Sequence, residues 1–196
     1  MSEEIEYTKA IENNIRILAK EFSVNPYNFF SESDVKCWLF MRLYGNHSLS
    51  DPRTTIDNKL ISPLHSEVSY FNDEGKLLFH VDLSVIDPMT TDVYSTSTTR
   101  GIRLSKGYNA GKCYVAIEIK FNKMHNRQKM LELWEKDLSK LENIKTRNAL
   151  LDCYSILFDK KDHISQETDL AIFSNRYPQI RIVYANASDN VFFVNF

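Results

Sequence analysis

The chain has 196 residues, 43% hydrophobic and 26% charged, with a formal net charge of −2. This is the mixture of an ordinary globular domain, and only 5 Gly and 5 Pro argue against a fibrous or low-complexity chain. A balance so close to neutral excludes a globally basic nucleic-acid binder, so any nucleic-acid reading has to rest on a local basic patch. Cys37, Cys113 and Cys153 are odd in number and form no CxxC motif; the last two sit in apolar strand-like runs, as buried thiols of a reducing compartment do. No apolar run is long enough to span a membrane, and the acidic start "MSEEIEYTKAIENN" lacks the apolar core of a signal peptide. A cytoplasmic location is therefore the expectation.

Residues 3–22 are expected to form a first helix, since Ile5, Ile11, Ile15, Leu18 and Phe22 recur at helical spacing. Pro26 in "VNPYNFF" disfavours helix at Asn25. In "SESDVKCWLFMRLYGN" Ser31 is a good N-cap with Asp34 three residues on, and Gly45 or Asn46 can end the helix. Val35, Trp38, Leu39 and Leu43 line one side of it and Cys37, Phe40 and Tyr44 another, so much of its surface is expected to be buried. Residues 47–63 form a polar loop. "HSEVSYF" (65–71) and "KLLFHVDLSVID" (76–87) look like two strands joined by a hairpin at "NDEG". On the second strand, period-two alternation puts Leu77, Phe79, Val81, Leu83 and Val85 on one face and Leu78, His80, Asp82, Ser84 and Ile86 on the other.

Residues 88–111 are rich in Thr, Ser and Gly and read as an insertion or loop, carrying Arg100, Arg103 and Lys106, with Lys112 just beyond. A strand follows at 112–121, with Cys113, Val115, Ile117, Ile119 and Phe121 on one face and Tyr114, Ala116, Glu118 and Lys120 on the other. A long helix is expected over 125–146, striped by Leu131, Trp134, Leu138, Leu141 and Ile144. Strands at 149–159 and 180–186, a short helix between them and a final strand-like "VFFVNF" complete an α/β sandwich around a central mixed β-sheet flanked by helices, in one domain of 1–196.

The chemistry is concentrated on two strands. Asp82 on one, and Glu118 with Lys120 on the next, would bring two carboxylates and an ammonium together if the strands are neighbours. Hard carboxylate oxygens suit Mg²⁺, which keeps waters and takes few protein ligands. A lysine beside such a metal can orient or help deprotonate the attacking water and stabilise charge on a phosphate.

"HVDLSVID" and "YVAIEIKFNK" resemble the PD-(D/E)XK nuclease superfamily, the restriction-endonuclease-like fold, whose signature is an Asp on one core strand and Glu-x-Lys on the next, each among aliphatics. The resemblance covers roughly residues 28–160, with Val81 in place of the Pro that names the motif and a longer gap from Asp82 to Glu118 than a simple hairpin needs. It implies metal-dependent phosphodiester hydrolysis in a nucleic acid, with DNA as the first expectation and Mg²⁺ or Mn²⁺ as the cofactor. It further implies that Asp82, Glu118 and the backbone carbonyl of Ile119 bind the metal and that Lys120 positions the water. Glu32, from the preceding helix, matches the additional acid of many members; independently of the resemblance, Glu67 on the first strand is a candidate further acid for the same site, set against a solvent-facing role. No membrane association is expected; a homodimer or a protein partner is left open.

Each of these residues has a plainer role open to it. Glu118 and Lys120 can be a strand ion pair, Asp82 a hydrogen-bonding strand carboxylate, and Glu32 a first-turn acid favoured by the helix dipole. His65, His80, Lys123 and His125 are second-tier candidates, and His47 and His163 are expected at the surface. The rival reading is a catalytically inactive nuclease fold, serving as a binding or assembly subunit of a defence or repair complex.

Overall fold

The structure, a computed structural model, describes residues 3–71, 76–92, 102–104, 108–110, 112–123, 126–147, 151–161, 163–188 and 191–196. Helix α1 (Glu3–Val24) buries Tyr7, Ile11, Ile15, Leu18, Ala19 and Phe22, the stripe its spacing predicts; the side chain of Ile5 lies outside the described ones. Pro26–Asn28 form a single 3₁₀ turn. Helix α2 (Glu32–Tyr44) starts with the expected capping box: Ser31 Oγ accepts from the Asp34 amide at 3.2 Å, and Asp34 Oδ2 accepts from the Ser31 amide at 2.9 Å. It buries one face only, Val35, Leu39 and Leu43, while Cys37, Met41 and Tyr44 are exposed. This corrects the expectation of burial on two sides, because a single neighbouring layer covers the helix.

The polar segment 47–63 holds a short helix α3 (His47–Ser50) and a small ladder of β1 (Arg53–Thr54) with β2 (Leu60–Ile61). Then come β3 (Leu64–Phe71) and β4 (Leu77–Ile86), paired antiparallel. The turn expected at "NDEG" lies outside the described residues. Within the expected insertion, β5 (Thr91–Asp92), β6 (Ile102–Leu104) and β7 (Tyr108–Ala110) form a separate three-stranded sheet in the order β5-β7-β6. Arg100, Lys106 and the side chain of Arg103 lie outside the described part. The chain continues through β8 (Cys113–Asn122), α4 (Arg127–Arg147), β9 (Asp152–Asp159), a turn at Gln166–Leu170 leading into α5 (Ala171–Arg176), β10 (Ile180–Asn186) and β11 (Val191–Val194).

Six strands form one mixed sheet in the order β11-β10-β9-β8-β4-β3. The pairs β8–β9 and β9–β10 are parallel and the other neighbours antiparallel. Parallel neighbours need crossover connections, and α4 and the α5 segment supply them. α1 and α2 cover one face over Ile117, Ile119, Phe121, Ile156 and Phe158; α4 and α5 cover the other over Ala116, Cys153, Leu157 and Ile182. At one end of the sheet α1 is tied down by polar bonds: Arg181 meets Asp152 at 2.7 Å and Glu12 at 3.4 Å, and Thr8 donates to Asp152 at 2.7 Å.

Two expected faces are wrong in detail. Leu83 and Val85 pack beneath α1 and α2, but Val81 packs in the α4 layer, so the five apolar residues of β4 do not share one face. Glu67 on β3 sits at φ 53°, a left-handed conformation that breaks the strand's alternation beside Asp82. Cys113, expected with Val115 and Ile117, also turns into the α4 layer, where a register shift between Val85 and Ile86 skips Tyr114.

The α4 stripe gives a direct stability test. Leu138→Ala removes a fully buried side chain and should cost about 2–5 kcal/mol in urea unfolding, whereas Glu142→Ala on the exposed face should stay within about 0.5 kcal/mol. Similar losses for both would contradict this helix register.

Candidate functional site

β4 and β8 are neighbours, as the sequence pattern requires. Their paired register runs from Ile86↔Cys113 to Leu83↔Ile117 and stops there. One residue further on each strand stand Asp82 and Glu118. Beyond the last pair it is a carboxylate that meets the facing strand: Asp82 Oδ2 accepts from the Ile119 amide at 2.8 Å. On the other flank, Glu67 and Asp82 stand between the pairs Ser66↔Leu83 and Val68↔Val81. The site thus forms where the sheet loses its regular ladder.

Alternation along β8 turns Glu118 and Lys120 toward α4. Glu118 is 5% exposed. Its Oε1 lies 2.7 Å from Lys140 Nζ, a close ion-pair contact. Lys140 also donates to the His80 carbonyl at 2.7 Å. Lys120 Nζ is 3.0 Å from Asp137 Oδ2 on α4 and 3.7 Å from Glu32 Oε2 on α2. Glu32 Oε2 also accepts from the Phe121 amide at 3.3 Å, which fixes the first turn of α2 to β8. Lys36, one turn along α2, contacts Glu67 and lies 3.5 Å from Asp82 Oδ1.

The structure therefore brings together Asp82, Glu118, Lys120 and Glu32, with Ile119 present through its amide and Glu67 joined through Lys36. It does not gather the second-tier candidates. The His65 ring is held below its ordinary value by burial, and His80 Nδ1 lies 2.9 Å from Ser69 Oγ. His125 lies outside the described residues. His163 is not a surface residue: its Nδ1 is 3.0 Å from Asp159, a fully buried carboxylate at the end of β9. Sequence reading missed Lys36, Asp137 and Lys140. Asp137 and Lys140 stand in "WEKDLSK", where a charged stretch looks like the wet face of a helix; the usable signal was their three-residue spacing.

Burial pushes the Glu118 carboxyl up to about 8; Lys140 opposes the shift, and the nearby Asp82 charge adds to it. Asp82 is also raised by burial, against the pull of the Ile119 amide and Lys36. Burial pulls Lys120 down, but Asp137 and Glu32 outweigh it, so Lys120 ends above its ordinary value and remains an ammonium at neutral pH. As an ammonium, Lys120 can orient a water and stabilise negative charge.

Five carboxylates (Glu32, Glu67, Asp82, Glu118, Asp137) and three lysines (Lys36, Lys120, Lys140) form one linked cluster of charges. The excess of carboxylates over lysines fits a hard divalent cation held by Asp82 and Glu118. Among the described residues no three His, Cys, Asp or Glu side chains converge on a metal site, so water and substrate oxygens would fill out the coordination, as is usual for Mg²⁺. Comparison with protein-family models, characterised proteins and solved structures finds no match. Among the described residues no helix is long and apolar enough to cross a membrane.

The raised Glu118 sets a pH signature. A carboxyl near 8 when folded and near its ordinary 4.5 when unfolded makes the folded protein the stronger proton binder between those values. Its stabilising share is full below about pH 4.5 and is lost as pH rises through about 8. In EDTA, Glu118→Gln should therefore gain on wild type from about pH 5 to pH 9, by about 4 kcal/mol in urea unfolding. A difference independent of pH would show that Glu118 is already ionised in the native protein.

Proposed function

We propose that this chain is a metal-dependent nuclease of the PD-(D/E)XK type, with a restriction-endonuclease-like fold. The observation that carries the proposal is the juxtaposition of Asp82 on β4 with Glu118 and Lys120 on β8, at the point where the ladder between those strands ends. The chain order also supports it: a helix bearing Glu32, three antiparallel strands, a long helix, then a strand parallel to the third.

Asp82 and Glu118 would hold the divalent cation. When bound, such an ion supplies Lewis-acid polarisation of the phosphate and lowers the pKa of a coordinated water. The protein's own contribution is positional. Asp82 is fixed by the Ile119 amide, and Glu118 by its packing under α4. Lys120, clamped between Asp137 and Glu32, presents a permanent positive charge that orients the attacking water and stabilises charge on the phosphate. Hydrolysis then forms one P–O bond from water as the P–O bond to the departing nucleotide breaks.

A second reading, a nuclease fold used for binding alone, draws support from one feature: Lys36 and Lys140 already contact the two carboxylates a metal would need. A cleavage assay separates the two. Plasmid DNA and labelled single-stranded DNA and RNA, incubated with Mg²⁺ or Mn²⁺, should be cut. EDTA should abolish cutting, and Lys120→Ala or Asp82→Asn should reduce it by about a hundredfold or more while near- and far-UV circular dichroism stay unchanged. Absence of cutting together with absence of Mg²⁺ and Mn²⁺ binding in calorimetry would favour the binding subunit. Cutting at wild-type rate by these variants would remove the site assignment.

A further inference from the structure

Two large aromatic side chains stand in solvent beside this cleft. Tyr27 is 77% exposed and Phe30 is 73% exposed, whereas their neighbours Pro26 and Phe29 are buried. The segment is held rigidly. Pro26 opens the 3₁₀ turn, Phe29 packs on Phe22 with ring centres 5.9 Å apart, and the Phe30 amide donates to Asp34 Oδ2 at 2.8 Å. With Pro26 and Phe29 buried, Tyr27 and Phe30 are displayed outward. Exposed aromatics on a fixed backbone are costly to keep in water and mark contact surfaces.

A lysine organises them. Lys160, directly after β9, places its ammonium 5.2 Å from the Tyr27 ring centre, 5.7 Å from Phe30 and 5.6 Å from Phe121. Lys123, just past β8, lies 5.6 Å from the same Phe121 ring. The patch is linked to the charged cluster through Glu32, whose Oε2 accepts from the Phe121 amide at 3.3 Å and lies 3.7 Å from Lys120 Nζ, and Phe30 precedes Glu32 by two residues. It lies where the parallel strands β8 and β9 end, the rim at which open α/β sheets usually receive ligands.

We propose that Tyr27 and Phe30, with Lys160 and Lys123, form a stacking platform that binds single-stranded nucleic acid and leads it into the cleft; its role as a substrate site rests on the nuclease reading. Bases in a duplex keep their faces stacked inside, so two outward rings can be used only by unpaired bases. The lysines between and beside the rings meet the phosphates. With a formal charge of −2 overall, such local recognition is what a nucleic-acid contact on this chain requires. Stacking and phosphate contact are common to DNA and RNA, so the inference names the single strand and leaves the sugar to the test.

The test is fluorescence anisotropy of the full chain in EDTA, where cutting is suppressed, with labelled oligo-dT, oligo-U and a DNA duplex, each about 20 nucleotides long. One single strand should bind at least about tenfold more tightly than duplex, and the tighter of the two identifies the sugar. Tyr27→Ala and Phe30→Ala should each weaken that binding by about tenfold. Lys160→Ala should lower the salt dependence by about one counterion. Equal affinity for duplex and single strand, no binding of either strand, or unchanged affinity in both aromatic variants would overturn the platform. Intact strand binding without any metal-dependent cutting would overturn the nuclease reading and leave the platform standing.

Discussion

Glu118 and Lys120 stand two residues apart on the face of β8 that α4 covers, and a sheet cannot bury charge there without bringing counter-charge to it. The surrounding elements are arranged around that requirement. α4 contributes Lys140 beside Glu118 and Asp137 beside Lys120, one turn apart on the same helix. α2 contributes Glu32 from the opposite side of the sheet and Lys36 toward Asp82. Both helix layers thus converge chemically on one short stretch of one strand.

That convergence needs an opening in the sheet. A continuous β4–β8 ladder would keep the two layers apart; here it ends at Leu83↔Ile117, and the Asp82 side chain takes the Ile119 amide. The disturbance reaches the next strand, where Glu67 adopts a positive φ and Val68 and Val81 enter the α4 layer while Leu64, Leu83 and Val85 face α1 and α2. A non-glycine residue in that conformation costs energy and persists only where its surroundings impose it, which is often at functional sites.

The contrast with the other charged cluster is instructive. Around Arg181, Asp152 receives a close guanidinium contact and the Thr8 hydroxyl, and the bonds serve to dock α1. Around Glu118, five carboxylates meet only three lysines. A purely structural ion pair has no physical need for that surplus, whereas a cleft that receives a cation and a phosphate does. The aromatic platform at the rim has the same character, since Tyr27 and Phe30 contribute little to the core they border.

Local patterning made most of the framework legible. Period-3.6 stripes announced α1 and α4, the Ser31–Asp34 box announced the start of α2, and aliphatic alternation announced β8. Asp82, Glu118 and Lys120 could be named because each sits among aliphatics on a strand, and Glu32 only through the family resemblance. Tertiary structure alone decided that β4 lies against β8 despite the long insertion, that Val81 and Cys113 leave their expected faces, and that Asp137, Lys140 and Lys36 supply the counter-charges. Periodicity reports which residues one element turns toward an apolar neighbour. It carries no information on which distant element supplies that neighbour, or on where a ladder must open to satisfy a buried charge, because those depend on the closure of the whole chain.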